Sequence, residues 1–253
     1  MKIITYNVNG IRSALKKDFI TWLKAANPDV LCLQEIKAQS DQIDFALFSE
    51  LGYTAYLHPA IKKGYSGVAI FTKHSPNNIC IGCGIEAYDM EGRVIRADFD
   101  KFSVLNIYMP SGSSGEIRQA FKMQWLDDFY NYIQTLKKTV PNLVICGDFN
   151  ICHKPIDIHN PKANKNSSGF LPEEREWMTK FFNLGFIDAF RYFNQESCNY
   201  TWWSFRTNAR NRNLGWRIDY HVVSETIVSS MKRAQILSEA KHSDHCPVLL
   251  EIL

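Results

Sequence analysis

Short apolar runs alternate with amphipathic stretches along this chain. The runs at 2–6, 29–33, 53–57 and 67–72 have the length and side-chain character of strands, and patterns of helical period at about 13–26 and 40–51 lie between them. Further strands are expected at 93–99 and 103–108, ahead of a long helix near 115–138. In that helix Ile117, Phe121, Trp125, Phe129, Tyr132, Ile133 and Leu136 recur every three or four residues. Strands follow at 142–147, 217–223 and 247–252. Pro172 with Glu173 and Glu174 predicts a helix through Phe182, because proline fits the first turn and carboxylates favour the positive end of the helix dipole.

No Pro/Ser/Gly-rich linker divides the 253 residues, and the two halves share a loose strand-and-helix rhythm without an exact repeat. The expectation is one catalytic domain over 1–253, a four-layered α/β sandwich of two packed mixed β-sheets flanked by helices. Residues 152–171 read as a polar loop too long to be idle in such a fold, and Ser111–Gly115 as a shorter flexible segment.

Several strands end in polar chemistry. Asn7 closes the first, Glu35 follows the second, Asp148 and Asn150 follow the run Leu143–Cys146, Asp219 lies in Trp216–Tyr220, and Asp244 and His245 precede the last strand. Strands ending together would bring these groups to one rim. Oxygen ligands, amides and a histidine are what a magnesium-dependent attack on a phosphodiester requires.

Composition narrows the class. At 45% hydrophobic and 13% aromatic the chain can bury a substantial core, which excludes disorder. A net charge of +3 implies no partner by itself, but its distribution is informative. Ser197 to Ile218 contains no Asp or Glu, while Arg206, Arg210, Arg212 and Arg217 alternate with Tyr200, Trp202, Trp203, Phe205 and Trp216. That mixture suits phosphates with bases or sugars, and equally a solvated loop over buried aromatics. Seven cysteines lack framework spacing, and Cys80 and Cys83 form a C-x-x-C with no second pair, so a reducing compartment fits best. The Met-Lys start enters a strand at once, and no apolar stretch nears the roughly 20 residues of a membrane span. A cytoplasmic protein with no membrane partner is expected.

Seven motifs occur in order: Tyr6-Asn7-Val8-Asn9-Gly10-Ile11-Arg12, Leu33-Gln34-Glu35-Ile36-Lys37, Gly64-Tyr65-Ser66-Gly67-Val68-Ala69, Asn106-Ile107-Tyr108-Met109-Pro110, Gly147-Asp148-Phe149-Asn150, Gly215-Trp216-Arg217-Ile218-Asp219-Tyr220 and Ser243-Asp244-His245-Cys246-Pro247. With them the whole chain resembles the exonuclease III type of apurinic/apyrimidinic endonucleases, within the endonuclease/exonuclease/phosphatase superfamily. Each motif is short, and the ordered set is what makes the resemblance specific.

The resemblance implies Glu35 as principal ligand of Mg²⁺, with Mn²⁺ as a substitute, and Asp244 in metal coordination or leaving-group support. Asp148 would activate or orient the attacking water, and Asn150 would fix the phosphate or the nucleophile. Asp219 would orient His245 and favour its protonated form, so that the imidazole stabilises charge on phosphoryl oxygens. Asn7 is implied as their hydrogen-bonding partner and Tyr108 as a phosphate contact, any further role of the phenol being left open. Trp202, Trp216 and Ile218 would form an apolar pocket for a base-free sugar flipped out of the duplex, with core packing as the competing reading of the tryptophans. Arg206 stands where some relatives insert a methionine into the duplex, and an arginine there suits a groove or phosphate contact instead. Arg12, Lys16, Lys17, Lys62, Lys63 and Tyr65 would touch the DNA backbone. Asn9 replaces an aspartate of some relatives, which counts against a second metal there.

The implied reaction is Mg²⁺-dependent hydrolysis 5′ to an abasic site in duplex DNA by a monomer, giving a 3′-hydroxyl and a 5′-deoxyribose phosphate. Exonuclease (3′→5′) and 3′-phosphodiesterase or phosphatase action on blocked 3′ ends would share the centre. Two other readings compete: a superfamily cousin acting on an inositol phosphate, a lipid or RNA, and a non-catalytic DNA-binding module. Gly215–Asp219 with the upstream arginines stands against the first, and the complete set Glu35, Asp148, Asn150, Asp219 and His245 against the second.

Overall fold

A computed structural model describes the backbone of residues 1–253 and every side chain except that of Thr207. The strands are β1 (Lys2–Asn7), β2 (Val30–Gln34), β3 (Thr54–His58), β4 (Val68–Thr72), β5 (Asn78–Ile81), β6 (Val94–Asp98), β7 (Ser103–Tyr108), β8 (Leu143–Asp148), β9 (Phe186–Asp188), β10 (Asp219–Ser224), β11 (Met231–Ile236) and β12 (Val248–Ile252). The α-helices are α1 (Ile11–Leu15), α2 (Phe19–Ala26), α3 (Ala46–Ser49), α4 (Glu86–Asp89), α5 (Glu116–Leu136), α6 (Pro172–Phe182) and α7 (Ala189–Phe193). Two six-stranded sheets form, ordered β11-β12-β1-β2-β4-β3 and β5-β6-β7-β8-β10-β9. In each, the central pair (β1 with β2, β7 with β8) is parallel and every other neighbouring pair antiparallel. The loose rhythm of the two halves is thus one topology used twice.

Alternation along the strands builds the layers. Ile3 of β1 faces the second sheet and packs with Cys32, Ile70, Val104, Val144, Cys146 and Val223 in a shared apolar layer. Ile4 and Tyr6 point the other way and meet Phe19 and Leu23 of α2. On the far side, Leu105, Ile145 and Val222 pack under Trp125 and Phe129 of α5 and Trp177 and Phe181 of α6. Helix, sheet, sheet, helix is the four-layered sandwich expected from the pattern.

The differences from the sequence reading are local. The helix expected at 13–26 is two helices, because Asp18 takes a left-handed φ of 58° between α1 and α2. The one expected at 40–51 is a 3₁₀ turn at Ser40–Gln42 followed by α3. β5, β9 and β11 escaped the pattern because they lie at sheet edges, where one flank is open and polar residues such as Lys232 and Arg233 are exposed. In α5 Trp125, Phe129, Ile133 and Leu136 are buried as expected, but Ile117 is 91% exposed, whereas Lys122 is wholly buried. Among the described residues, no helix is long and apolar enough to cross a membrane.

Candidate active site

The two parallel central pairs end at the same rim, and the strands antiparallel to them begin there. Register sets Asn7 beside Gln34, Tyr108 beside Asp148, and Asp148 beside Asp219. Gly147 makes the second alignment possible: at φ +140° it lets β8 approach β7 so closely that a Cβ would sit 1.9 Å from the Ile107 carbonyl oxygen. Beneath the rim Gln34 Nε2 donates to Asn106 Oδ1 at 2.6 Å, joining the two sheets through their gap. Glu35 and Asn150, one and two residues past their strands, take left-handed φ values of 49° and 51°, the kind of backbone strain that collects at functional sites.

The polar side chains form one network. Asn7 Nδ2 donates to Asp148 Oδ2 at 2.9 Å and to Glu35 Oε1 at 3.2 Å. The Tyr108 hydroxyl donates to the same Glu35 oxygen. The Asn150 backbone N–H donates to Asp148 Oδ1 at 2.8 Å, and its side-chain amide to the Met109 carbonyl at 2.9 Å. His245 Nδ1 lies 2.9 Å from Asp219 Oδ2, and its Nε2 is 3.9 Å from Asp148 Oδ2. Burial, then the nearby Asp219 charge, raises the Asp148 carboxyl to about 7, within reach of a general base at neutral pH. Burial alone would lower the His245 imidazole, but Asp219 overcomes it and raises the ring to about 10, so it is a cation at neutral pH. Burial and Glu35 push the Tyr108 phenol well above its ordinary value, so it stays a donor.

Two groupings bear on a metal. Ligand atoms of Asp148, Asp219 and His245 all lie within 4.8 Å of one another and could hold an ion. A protonated imidazole, however, has no lone pair to offer. The second grouping is an oxygen cradle that already receives a cation: Lys37 Nζ sits 2.7 Å from Glu35 Oε2 and 2.6 Å from Asn9 Oδ1. Asn9 Nδ2 in turn donates to Asp244 Oδ1 at 3.0 Å. Against the effect of burial, Lys37 and Tyr108 hold Glu35 below the usual carboxylate range, and His245, Asn9 and Trp202 do the same for Asp244. Ionised hard oxygens around a lysine ammonium are a donor set suited to a divalent cation.

Beside His245 the chain packs an apolar cluster. Trp202 and Trp216 meet edge to face with ring centroids 6.0 Å apart, over Ile218, Cys152, Ile158 and Phe170. Trp202 Nε1 also donates to Asp244 Oδ2 at 3.0 Å, so the edge of the cluster touches the polar network. Cys152, Ile158 and Phe170 were missed in the sequence reading. Their signal was there as apolar islands in the polar stretch 152–171.

The basic residues divide. Arg12 and Lys16 are exposed and line an open groove of about 740 Å³ with Lys37 and Gly64. Tyr65 is half-buried, and its hydroxyl accepts from Arg118 at 2.9 Å and from Arg93 at 3.2 Å. Arg206 is exposed on a 3₁₀ turn. Arg210 and Arg217, read from sequence as part of a basic-aromatic stretch, serve the fold instead. Arg210 donates to the carbonyls of Ser243, Ser238 and Ala240 and stacks 4.8 Å from Trp203. Arg217 is buried, its Nε 2.7 Å from Asp157 and its Nη2 2.7 Å from Asp188. Backbone carbonyls and carboxylates satisfy these two guanidinium groups more fully than a distant phosphate would.

Comparison with known proteins agrees with the geometry. The chain is 44% identical over 254 residues to the exodeoxyribonuclease of Bacillus subtilis (strain 168), covering all of this chain and 99% of the relative. The structure of an AP endonuclease from Archaeoglobus fulgidus superposes with a TM-score of 0.90 at 34% identity, covering 100% of this chain and 99% of that one. A variant of the 3′ phosphatase NExo from Neisseria bound to product DNA hairpin gives a TM-score of 0.91 at 30% identity, with coverage of 100% and 99%. Residues 4–245 match the Endonuclease/Exonuclease/phosphatase family, and the chain, with its paired sheets and shared polar rim, belongs to that family.

Proposed function

We propose that this protein is a DNA-repair nuclease that hydrolyses the phosphodiester 5′ to an abasic site in duplex DNA, leaving a 3′-hydroxyl and a 5′-deoxyribose phosphate. It acts as one catalytic unit spanning the chain, and 3′→5′ exonuclease and 3′-phosphatase or phosphodiesterase action share the centre. The observation that carries this is the apolar cluster of Trp202, Trp216 and Ile218 set directly against the His245–Asp244 side of a phosphoester-cleaving rim. A base-free sugar would lie against this apolar surface, while the missing base lowers the cost of flipping the nucleotide out. The names of the relatives support the same substrate class.

Asp148, with its carboxyl near 7, takes the proton from the attacking water, and Asn7 and Asn150 keep its oxygens aimed. The water oxygen forms a bond to phosphorus, the bond from phosphorus to the 3′ oxygen breaks, and solvent protonates that oxygen. His245, held cationic by Asp219, offsets charge on the non-bridging oxygens through Nε2, and the Tyr108 hydroxyl donates to the phosphate. Glu35 and Asp244 would hold Mg²⁺, or Mn²⁺ in its place, which when bound would neutralise charge on the phosphate. Arg12, Lys16, Tyr65 and Arg206 contact the DNA backbone outside the cluster.

The test is incision of a labelled duplex carrying one tetrahydrofuran abasic analogue, beside an intact duplex, in Mg²⁺ and in EDTA. Metal-dependent cutting 5′ to the analogue, with the intact strand spared, is expected. Equal cutting of both duplexes, or cutting in EDTA, would refute the proposal.

A further inference from the structure

The ion pair between Lys122 and Glu174 has no place in the chemistry above, yet neither side chain has any solvent exposure. Lys122 lies in α5 where its apolar stripe would be served by a hydrophobic residue, and Glu174 lies in the first turn of α6. Burying two charges commonly costs as much as their attraction returns, so stability alone is a poor reason for the pair. Its hydrogen bonds suggest another. Lys122 Nζ donates to Glu174 Oε1 at 2.6 Å and to the backbone carbonyl of Asn150 at 2.9 Å. Glu174 Oε2 accepts the backbone N–H groups of Gly169 at 2.6 Å and Leu171 at 3.0 Å. Gly169 packs so tightly that a Cβ there would lie 3.0 Å from the Trp216 ring and 3.1 Å from the Asn150 carbonyl oxygen. One buried pair therefore reaches both the strained turn that carries Asp148 and Asn150 and the backbone behind the Trp216 wall.

We propose that Lys122 is a positioning residue for hydrolysis, pinning the Asn150 peptide so that Asp148 and Asn150 keep their aim, with Glu174 anchoring the ammonium. This rests on the nuclease reading. Lys122 touches no substrate and acts through the turn. Without its donor the Asn150 carbonyl loses a buried partner, and the left-handed backbone at φ 51° is free to relax.

The test uses Lys122→Met/Glu174→Met in the full chain, an apolar exchange that removes both charges at once. Incision of the tetrahydrofuran duplex is measured along with melting temperature and hydrogen exchange over residues 148–152. The variant is expected to fold but to melt below wild type, because the Asn150 carbonyl and the Gly169 and Leu171 N–H groups lose their partners. Its kcat should fall roughly 10- to 100-fold with KM within about threefold, as for a misaligned reacting group, and exchange in the turn should quicken. A variant as stable as wild type, with full kcat and an unchanged turn, overturns the proposal. Should the methionine pair fail to fold, Lys122→Gln/Glu174→Gln decides, because positioning requires kcat and exchange to change together or not at all, and either mismatch overturns it. If wild type leaves the abasic duplex intact, the nuclease reading fails, while exchange in the variants still reports whether Lys122 holds the turn.

Discussion

Asp219→Asn asks whether His245 works as a cation. Asp219 Oδ2 and Oδ1 lie 2.9 and 3.2 Å from Nδ1, and burial would otherwise lower the ring. At about 1.4 kcal/mol per pH unit, the rise from 6.5 to about 10 is on the order of 4–5 kcal/mol of preference for the charged imidazole. Asparagine keeps the shape but removes the charge. The ring stays buried, with Asp148 at 3.9 Å from Nε2 and Asp244 as its remaining carboxylate neighbours, and its pKa falls toward neutrality. Asp219 also raises Asp148, so that carboxyl falls below its value of about 7 as well. The active form has Asp148 ionised and His245 protonated. Wild-type rate therefore rises as pH passes about 7 and falls as it passes about 10. In Asp219→Asn both limbs move to lower pH, and the alkaline one moves further because His245 loses a partner at contact distance. At pH 8 the chemical step should fall by roughly 10³- to 10⁴-fold, the scale of losing an oriented, charge-stabilising histidine. Single-turnover incision of the abasic duplex between pH 5.5 and 10.5, with saturating Mg²⁺, reads both quantities. An unmoved alkaline limb with less than about a tenfold loss would sink the charged-imidazole argument.

Three further outcomes follow from the same geometry. The folded-state pKa of Asp148 lies above its unfolded value, so its ionisation destabilises the fold: the penalty is absent below about pH 4 and complete above about 7. Asp148→Asn should therefore abolish incision yet raise the melting temperature, by roughly 2–8 °C at pH 8 in EDTA and by less at pH 5; calorimetry giving a lower value would contradict this. Trp202→Phe keeps an aromatic wall but loses the N–H on Asp244, so steady-state kinetics should show roughly a 3- to 10-fold drop in kcat/KM for abasic duplex, and unchanged kinetics would show that bond to be idle. Arg217→Met leaves Asp188 and part of Asp157 as uncompensated buried charge and should cost roughly 2–5 kcal/mol in urea unfolding, whereas a loss under about 1 kcal/mol would mean the network is not structural.

Much of the site was legible before any folding. The apolar runs along 2–6, 103–108 and 142–147 mark strands buried on both faces, and the polar residues just past their ends are conspicuous because nothing in a core calls for them. The ordered motifs named Asn7, Glu35, Tyr108, Asp148, Asn150, Asp219, Asp244 and His245, and the structure brings all eight to one rim. The edge strands β5, β9 and β11, the break at Asp18 and the burial of Lys122 in α5 were not legible, because local pattern does not reveal which flank a neighbour will cover.

By itself, then, the sequence determined most of the strands, the long helices and the inventory of chemical groups, since these follow from local periodicity and residue type. Tertiary structure alone decided what the groups do to one another. Residues 219 and 245 are far apart along the chain, yet contact at 2.9 Å keeps His245 a cation against the effect of its burial. The same packing raises Asp148, makes Arg210 and Arg217 of the basic-aromatic stretch internal ties, and buries Lys122 against Asn150. Charge, desolvation and orientation depend on neighbours across the sheets, and those neighbours exist only once the register of β1, β2, β7, β8 and β10 is set.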